Sequence, residues 1–305
     1  MTHEPPAHSR VAPGRLGRRA SALAAALLIA LPSGAFAREG VDVGPPSMMS
    51  KLVSADQVEA AARQQYAAML QEASSKHAVA PPNHPQVVRL RTIAQRLIPF
   101  AEDWNPRARE WRWEVNVIGS RQINAFCMPG GKIAFFLGIL EQLKLTDDEV
   151  AIIMGHEMAH ALREHAREQM GKTAATRGAI ELGAAIFGLG NGGRMVAGLG
   201  GQLLTLRFGR ADETEADLVG IELAARAGYD PRAGVSLWNK MAAANRRGGN
   251  LEFLSTHPSG PTRISGIQAA LPQVMPLYER APKPPRRFDA ALQGDEAPPR
   301  RSSGR

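Results

Sequence analysis

His156-Glu157-Met158-Ala159-His160 constrains this chain more than any other stretch. On a helix, residues four apart sit one turn along the axis and about 40° apart around it, so both imidazoles face the same way. Two imidazoles in that relation can grip one zinc ion and leave coordination positions open. Glu157 projects beside the metal without having to bind it, where a carboxylate can act as base toward an activated water. The fold must therefore supply a helix here, a cleft around it, and a third ligand from elsewhere.

A pattern of three fixed positions is short, so its surroundings carry the argument. Thr146-Asp147-Asp148-Glu149 reads as a capping box, with Thr146 as N-cap and Glu149 reaching back. Acidic residues there suit the positive end of the helix. The helix is expected to run to about Glu168, with Val150, Ile153, Met154 and Ala161 on its buried side. The third ligand comes from Glu213-Thr214-Glu215-Ala216-Asp217-Leu218-Val219-Gly220. Glu213, Asp217 and Gly220 share one helical stripe. Glu213 can reach the metal while Asp217 accepts a hydrogen bond from a ligand imidazole, fixing its tautomer. Gly220 would let the two metal-bearing helices approach closely. Glu215 is a rival ligand, but it diverges from Glu213 by about 200°, so only one of them can face the metal. His165 lies about 140° around the helix from His160 and reads as a surface residue rather than a ligand.

These motifs resemble the metallopeptidase family of the CAAX prenyl protease and HtpX (metallopeptidase family forty-eight), and in particular its soluble, periplasmic bacterial branch. Other segments agree with that resemblance. Asn124 to Gly131 is similar to the family's strand and turn before the zinc helix. Ala227-Gly228-Tyr229-Asp230-Pro231, then Leu237-Trp238, is similar to its linker into the next helix. Ser255-Thr256-His257-Pro258, then Arg263-Ile264, is similar to its C-terminal signature. The resemblance covers about residues 50 to 275 and selects Glu213 over Glu215 as ligand. The extended metzincin pattern is absent, because Arg163 and Ala166 stand where it needs Gly and His.

Residues 1–37 read as a signal peptide. Arg15, Arg18 and Arg19 precede a twelve-residue apolar run from Ala20 to Leu31, and Ala35-Phe36-Ala37 is a small-x-small cleavage site. Twelve residues are too few to span a bilayer. The expectation is cleavage after Ala37 and a periplasmic address. Net charge is +8, and the four arginines and one glutamate of the leader account for +3 of it. The remaining basic balance suggests peripheral attraction to an anionic membrane surface. No stripe of basic and aromatic residues is present, which argues against nucleic acid. The one cysteine, Cys127, cannot form an intrachain disulfide and reads as a small apolar core residue. Stability must then come from the core, which the 44% hydrophobic content permits.

Along the chain, residues 38–53 form a lead-in, residues 54–275 a metallopeptidase domain, and residues 281–305 a disordered tail rich in Pro and Arg. Ser54 caps a helix to about Ser74, and a second runs from Gln86 to about Glu102. Trp111 to Val117 alternates as a half-buried strand. Ile123–Cys127 and Lys132–Leu137 are two more, around the Pro129-Gly130-Gly131 turn. Two short helices are expected between Ala179 and Leu206, and further helices near 231–246 and 261–270. The fold class is α+β: a mainly helical zincin-like domain with a small antiparallel sheet bordering the cleft.

The resulting expectation is a zinc-dependent endopeptidase with one Zn2+ per chain on His156, His160 and Glu213. Glu157 is the base and Asp217 orients a ligand histidine. His257 and Arg263 are candidates to stabilise the oxyanion. His257 has a second reading, as an imidazole on a mobile loop that fills the fourth zinc position and keeps the enzyme latent. Polypeptide substrates would bind as an extended strand against the sheet edge. By resemblance they would be misfolded or mistargeted envelope proteins. The alternatives are a chaperone or assembly factor with minor proteolysis, and a structural zinc domain with a closed four-ligand site.

Overall fold

Three of the long helices begin where a side chain accepts from one of their first free N–H groups. The computed structural model describes residues 38–186, 203, 206–247, 252–258 and 260–288. In α1 (Ala55–Ser75) the Ser54 hydroxyl accepts from the Gln57 N–H, and in α2 (Pro85–Leu97) His84 Nδ1 accepts from the Gln86 N–H. Three strands follow, β1 (Glu114–Ile118), β2 (Ala125–Met128) and β3 (Lys132–Phe136). After a short α3 (Leu137–Gln142) comes α4 (Asp147–Leu162), which carries the full capping box: Thr146 Oγ1 accepts from the Glu149 N–H at 3.2 Å, and Glu149 Oε2 accepts from the Thr146 N–H at 2.8 Å. The remaining helices are α5 (His165–Ile186), α6 (Arg210–Arg226), α7 (Ala233–Arg246), α8 (Glu252–Thr256) and α9 (Pro261–Arg280).

The architecture is α+β and mainly helical, with the three strands in the order β1-β3-β2. β2 and β3 form the antiparallel hairpin around Gly130 and Gly131, whose φ values of 85° and 75° only glycine adopts readily. β1 runs parallel to β3, so the sheet is mixed rather than purely antiparallel. Alternation of apolar residues tells which face of a strand is buried, not which neighbour it takes. Ile133 and Phe135 point into the main core with α4, whereas Ala134 and Phe136 face α1. β2 is an edge strand of this sheet and borders the cleft.

α4 is buried on all sides from Glu149 to Leu162, which makes it the axis of the domain. It crosses α6 at Gly155 and Gly220. A Cβ on Gly155 would stand 2.6 Å from the Gly220 carbonyl oxygen, and one on Gly220 would stand 2.7 Å from the His156 nitrogen. Only hydrogen fits at either position, and the crossing brings the two metal-bearing faces together.

Several boundaries differ from the sequence reading. α4 stops at Leu162 rather than near Glu168, because Glu164 adopts φ 59° and breaks the helix. α9 extends to Arg280 through Pro272 and Pro276, held by the buried Ile267, Ala270, Val274 and Leu277. Packing of that face outweighs the donors the prolines remove. The first residues of the expected tail pack on the domain: Phe288 is buried, and its N–H donates to Asp147 Oδ2 at 2.7 Å. Arg287 pairs with Asp148. An aromatic anchor and an ion pair offset the entropy that composition alone suggests would win. The lead-in also packs: Val41 is buried and its N–H donates to Glu222 at 2.8 Å. The expected signal peptide, residues 289–305 and most of the stretch assigned to two short helices lie outside the described residues; α5 accounts for that stretch as far as Ile186. Among the described residues no helix is long and apolar enough to cross a membrane.

Candidate metal centre and active site

Four elements converge on one buried cluster. α4 contributes His156, Glu157 and His160, α6 contributes Glu213 and Asp217, the residue after α8 is His257, and α9 contributes Arg263. One ligand atom from each of His156, His160, Glu213 and His257 lies within 4.8 Å of the others. The Nε2 atoms of His156 and His160 are 3.1 Å apart, and Glu213 Oε1 is 3.4 Å from His160 Nε2. Glu213 Oε1, His257 Nε2 and Glu157 Oε1 are buried without a hydrogen-bond partner. Each such orphan costs about 1–3 kcal/mol. Two of them, on Glu213 and His257, belong to the cluster of imidazole and carboxylate donors and are accounted for by a cation. The His-His-Glu set fits zinc of the catalytic type.

Burial dominates the electrostatics. It pushes His156 below its ordinary value, though the hydrogen bond to Asp217 opposes this. His160 and His257 are driven well below theirs by burial and by the neighbouring imidazoles. The two ligand histidines are therefore neutral, as metal binding requires. Burial raises Glu213 to about 8, against the opposing pull of Arg263. Glu157 is raised well above the carboxylate range by burial and then by Glu213, with the Cys127 backbone N–H a weaker opposing pull. Burial would also raise Asp217, but Arg263 overcomes it and leaves that carboxyl below its ordinary value.

Asp217 Oδ1 lies 3.1 Å from His156 Nδ1, which leaves His156 Nε2 facing the cluster. Arg263, a candidate oxyanion stabiliser on sequence grounds, is committed elsewhere. Its guanidinium donates to Asp217 at 2.5 and 2.6 Å, to Glu213 Oε2, and to the Pro258 carbonyl. With its donors occupied it holds the two carboxylates in place. His257 stacks on Phe253, ring centroids 4.5 Å apart, and its Nδ1 faces the Phe253 carbonyl at 3.2 Å, so Nε2 is turned to the cluster. Glu157 Oε1 stands 3.5 Å from that Nε2.

One further residue stands where the sequence reading did not put it, and another stands off the cluster as that reading expected. His165 is 1% exposed, not a surface residue, and its Nδ1 lies 2.9 Å from His160 Nδ1. The angular argument assumed an unbroken helix, and the turn at Glu164 removes that assumption. Glu215 is turned away from the cluster, toward Arg163 and His165. Phe208 stacks on His160 with centroids 4.0 Å apart, a contact no local sequence signal marks. Beside Glu157, a cavity of about 40 Å³ opens between β2, Phe208 and His257. It has room for about three waters. Cys127 lines it from β2, and burial pushes its thiol well up, away from reactivity.

Fold and donor set together define a metallopeptidase domain of the two-histidine, one-glutamate kind. More particularly, the chain belongs to peptidase family M48, whose model matches residues 86–271. It is 36% identical over 195 residues to the mitochondrial metalloendopeptidase OMA1 of Schizosaccharomyces pombe, covering 63% of this chain and 55% of that protein. It is 29% identical over 201 residues to the metalloprotease LoiP of Escherichia coli, covering 65% of this chain and 75% of the relative. The beta-barrel assembly-enhancing protease of Yersinia pestis is 26% identical over 196 residues, covering 61% of this chain and 39% of that protein. The chain spans 55%, 61% and 30% of the lengths of the fission yeast, budding yeast and Arabidopsis OMA1 proteins. The matches thus include mitochondrial as well as bacterial enzymes, and they establish the family without selecting its bacterial branch.

Proposed function

We propose that this protein is a zinc-dependent endopeptidase acting on polypeptides in the cell envelope. The observation that carries the reading is the convergence of unpartnered Glu213 Oε1 and Glu157 Oε1 beside the paired Nε2 atoms of His156 and His160. Zinc held by His156, His160 and Glu213 would supply Lewis acidity and a water of lowered pKa. Glu157 takes the proton of the attacking water and returns it to the leaving amine; such transfers contribute about 10²–10⁴-fold. Its place beside the small cavity suits that role. Asp217 accepts from His156 Nδ1–H and so presents Nε2 as the ligand atom. Arg263 balances the charge of Glu213 and Asp217.

A substrate taken as an extended strand along β2 would pass its backbone beside Glu157. Envelope location and a quality-control role rest on the leader-like sequence and on the bacterial relatives; misfolded envelope proteins are the substrate class this favours. Peripheral contact with an anionic membrane surface follows from the basic balance.

The position of His257 favours a second element. Its Nε2 completes a four-donor set, and a closed set excludes the water. We therefore read the described arrangement as latent, opened when the segment around His257 moves. An assembly factor with minor proteolysis shares this feature. The deciding experiment is cleavage of an unfolded protein by the purified zinc-loaded chain, beside Glu157→Gln. Cleavage that a chelator blocks and the variant lacks supports the peptidase. Binding of unfolded protein without cleavage by either leaves the latent enzyme and the assembly factor, and cleavage by His257→Ala separates them.

A further inference from the structure

We propose that His165 and Glu215 are positioning residues that fix the tautomer of His160 and so prepare its Nε2 for the metal. The inference rests on the zinc reading above. His160 has its Nε2 in the donor cluster, 3.1 Å from His156 Nε2, and its Nδ1 turned outward, 2.9 Å from His165 Nδ1. Two ring nitrogens at that distance share one proton, one donating and the other accepting. A ligand atom must be bare, so the His160 proton belongs on Nδ1 and His165 Nδ1 is the acceptor. His165 must then carry its own proton on Nε2, and that buried atom makes no hydrogen bond among the described residues but stands 3.6 Å from Glu215 Oε2, which favours the protonated nitrogen on that side. Glu215 is anchored in turn: Arg163 Nε donates to its other oxygen, while Arg163 Nη2 donates to the Gly44 carbonyl at 2.7 Å. The far end of the row is thus a carboxylate that Arg163 holds beside His165.

The two ligand histidines receive parallel treatment. His156 has Asp217 and Arg263 behind it; His160 has His165, Glu215 and Arg163. A single helix supplies all the carboxylates. On α6, Glu213 and Asp217 share one face, and Glu215, about 200° from Glu213, serves the break between α4 and α5. That break at Glu164 is what swings His165 back over the end of α4. Without the imidazole between them, Glu215 has no hydrogen bond to His160.

Two variants and one spectrum test this. His165→Phe keeps a ring of similar size and removes the acceptor. His165→Gln keeps an acceptor oxygen. Zinc affinity, measured by competition with a chelator on the full chain, should fall about 10–100-fold in His165→Phe, the usual effect of losing such a partner. His165→Gln should recover most of it. In nitrogen-labelled, zinc-loaded wild type, His160 should carry its proton on Nδ1, with nitrogen–nitrogen coupling across the bond to His165. Equal zinc affinity in wild type and a folded His165→Phe would overturn the proposal. So would His160 without a proton on Nδ1, a readout that needs no variant to fold. Zinc binding without proteolysis by wild type or His257→Ala would overturn the peptidase reading alone and leave this one standing.

Discussion

Substituting Gly220 by alanine tests whether the α4–α6 crossing sets the metal site. The new Cβ would stand 2.7 Å from the His156 nitrogen and 2.9 Å from its Cα, where ordinary contact begins at 3.4 Å. The obstacle is the backbone of a fully buried helix, so no side chain can swing aside. Overpacking of this kind costs about 1–3 kcal/mol. Alanine recovers about 0.5–1 kcal/mol through its better fit to a helix. The net loss is about 1–2 kcal/mol, which lowers Tm by about 2–8 °C in a domain of this size. Because α6 carries Glu213 and α4 carries both histidines, the same displacement should weaken zinc about tenfold or more, on the scale of other disturbed ligand supports. Gly266→Ala in α9 is the control, since nothing lies within 4 Å of its Cβ, and it should stabilise by about 0.5–1 kcal/mol. The assays are thermal unfolding and chelator competition. A Gly220→Ala protein as stable as Gly266→Ala, with wild-type zinc affinity, would refute the reasoning.

His257→Ala removes the fourth donor, so zinc should bind more weakly while cleavage of an unfolded substrate at saturating zinc rises. If both stay at wild-type values, the latent reading fails. The pH dependence follows from Glu213, whose carboxyl burial raises from the ordinary 4.5 to about 8 in the metal-free protein. Zinc needs the carboxylate, so its affinity should fall about tenfold per pH unit below pH 8 through this group. For the metal-free chain, the raised value contributes stability that is complete below 4.5 and lost as pH rises through about 8. Melting with chelator should therefore show this loss between pH 5 and 8, and zinc should lessen it; a flat zinc affinity over pH 6–8 would count against the assignment.

The zinc-binding pentapeptide, its capping box and the Glu213–Asp217–Gly220 stripe were legible because each is local: spacing on one helix decides them. Their convergence was legible only through resemblance, since nothing in Glu213 itself says that α6 crosses α4 at Gly155. Errors arose where tertiary context overrides local signal. Sheet order depends on which edge is free, so β1 beside β3 cannot be read from alternation. Phe288 is one buried aromatic in a tail whose composition reads as disordered. Arg263 looked available because its partners, Asp217 and Glu213, come from a different helix.

The instructive error concerns His165, and it bears on Glu215 as well. Glu215 was set aside by an angular argument that holds on α6, and His165 by one that assumed α4 ran on unbroken. Both arguments answered whether the residue can touch the metal, and in the structure neither does. The break at Glu164 turns His165 toward the outer nitrogen of His160, and the far side of α6 offers Glu215 to His165. A ligand histidine needs a partner on its second nitrogen as much as a metal on its first. A search of the sequence that asks what stands behind each ligand, and not only which residues bind, would look for the carboxylate two residues after Glu213 and the histidine five after His160. It would then find both.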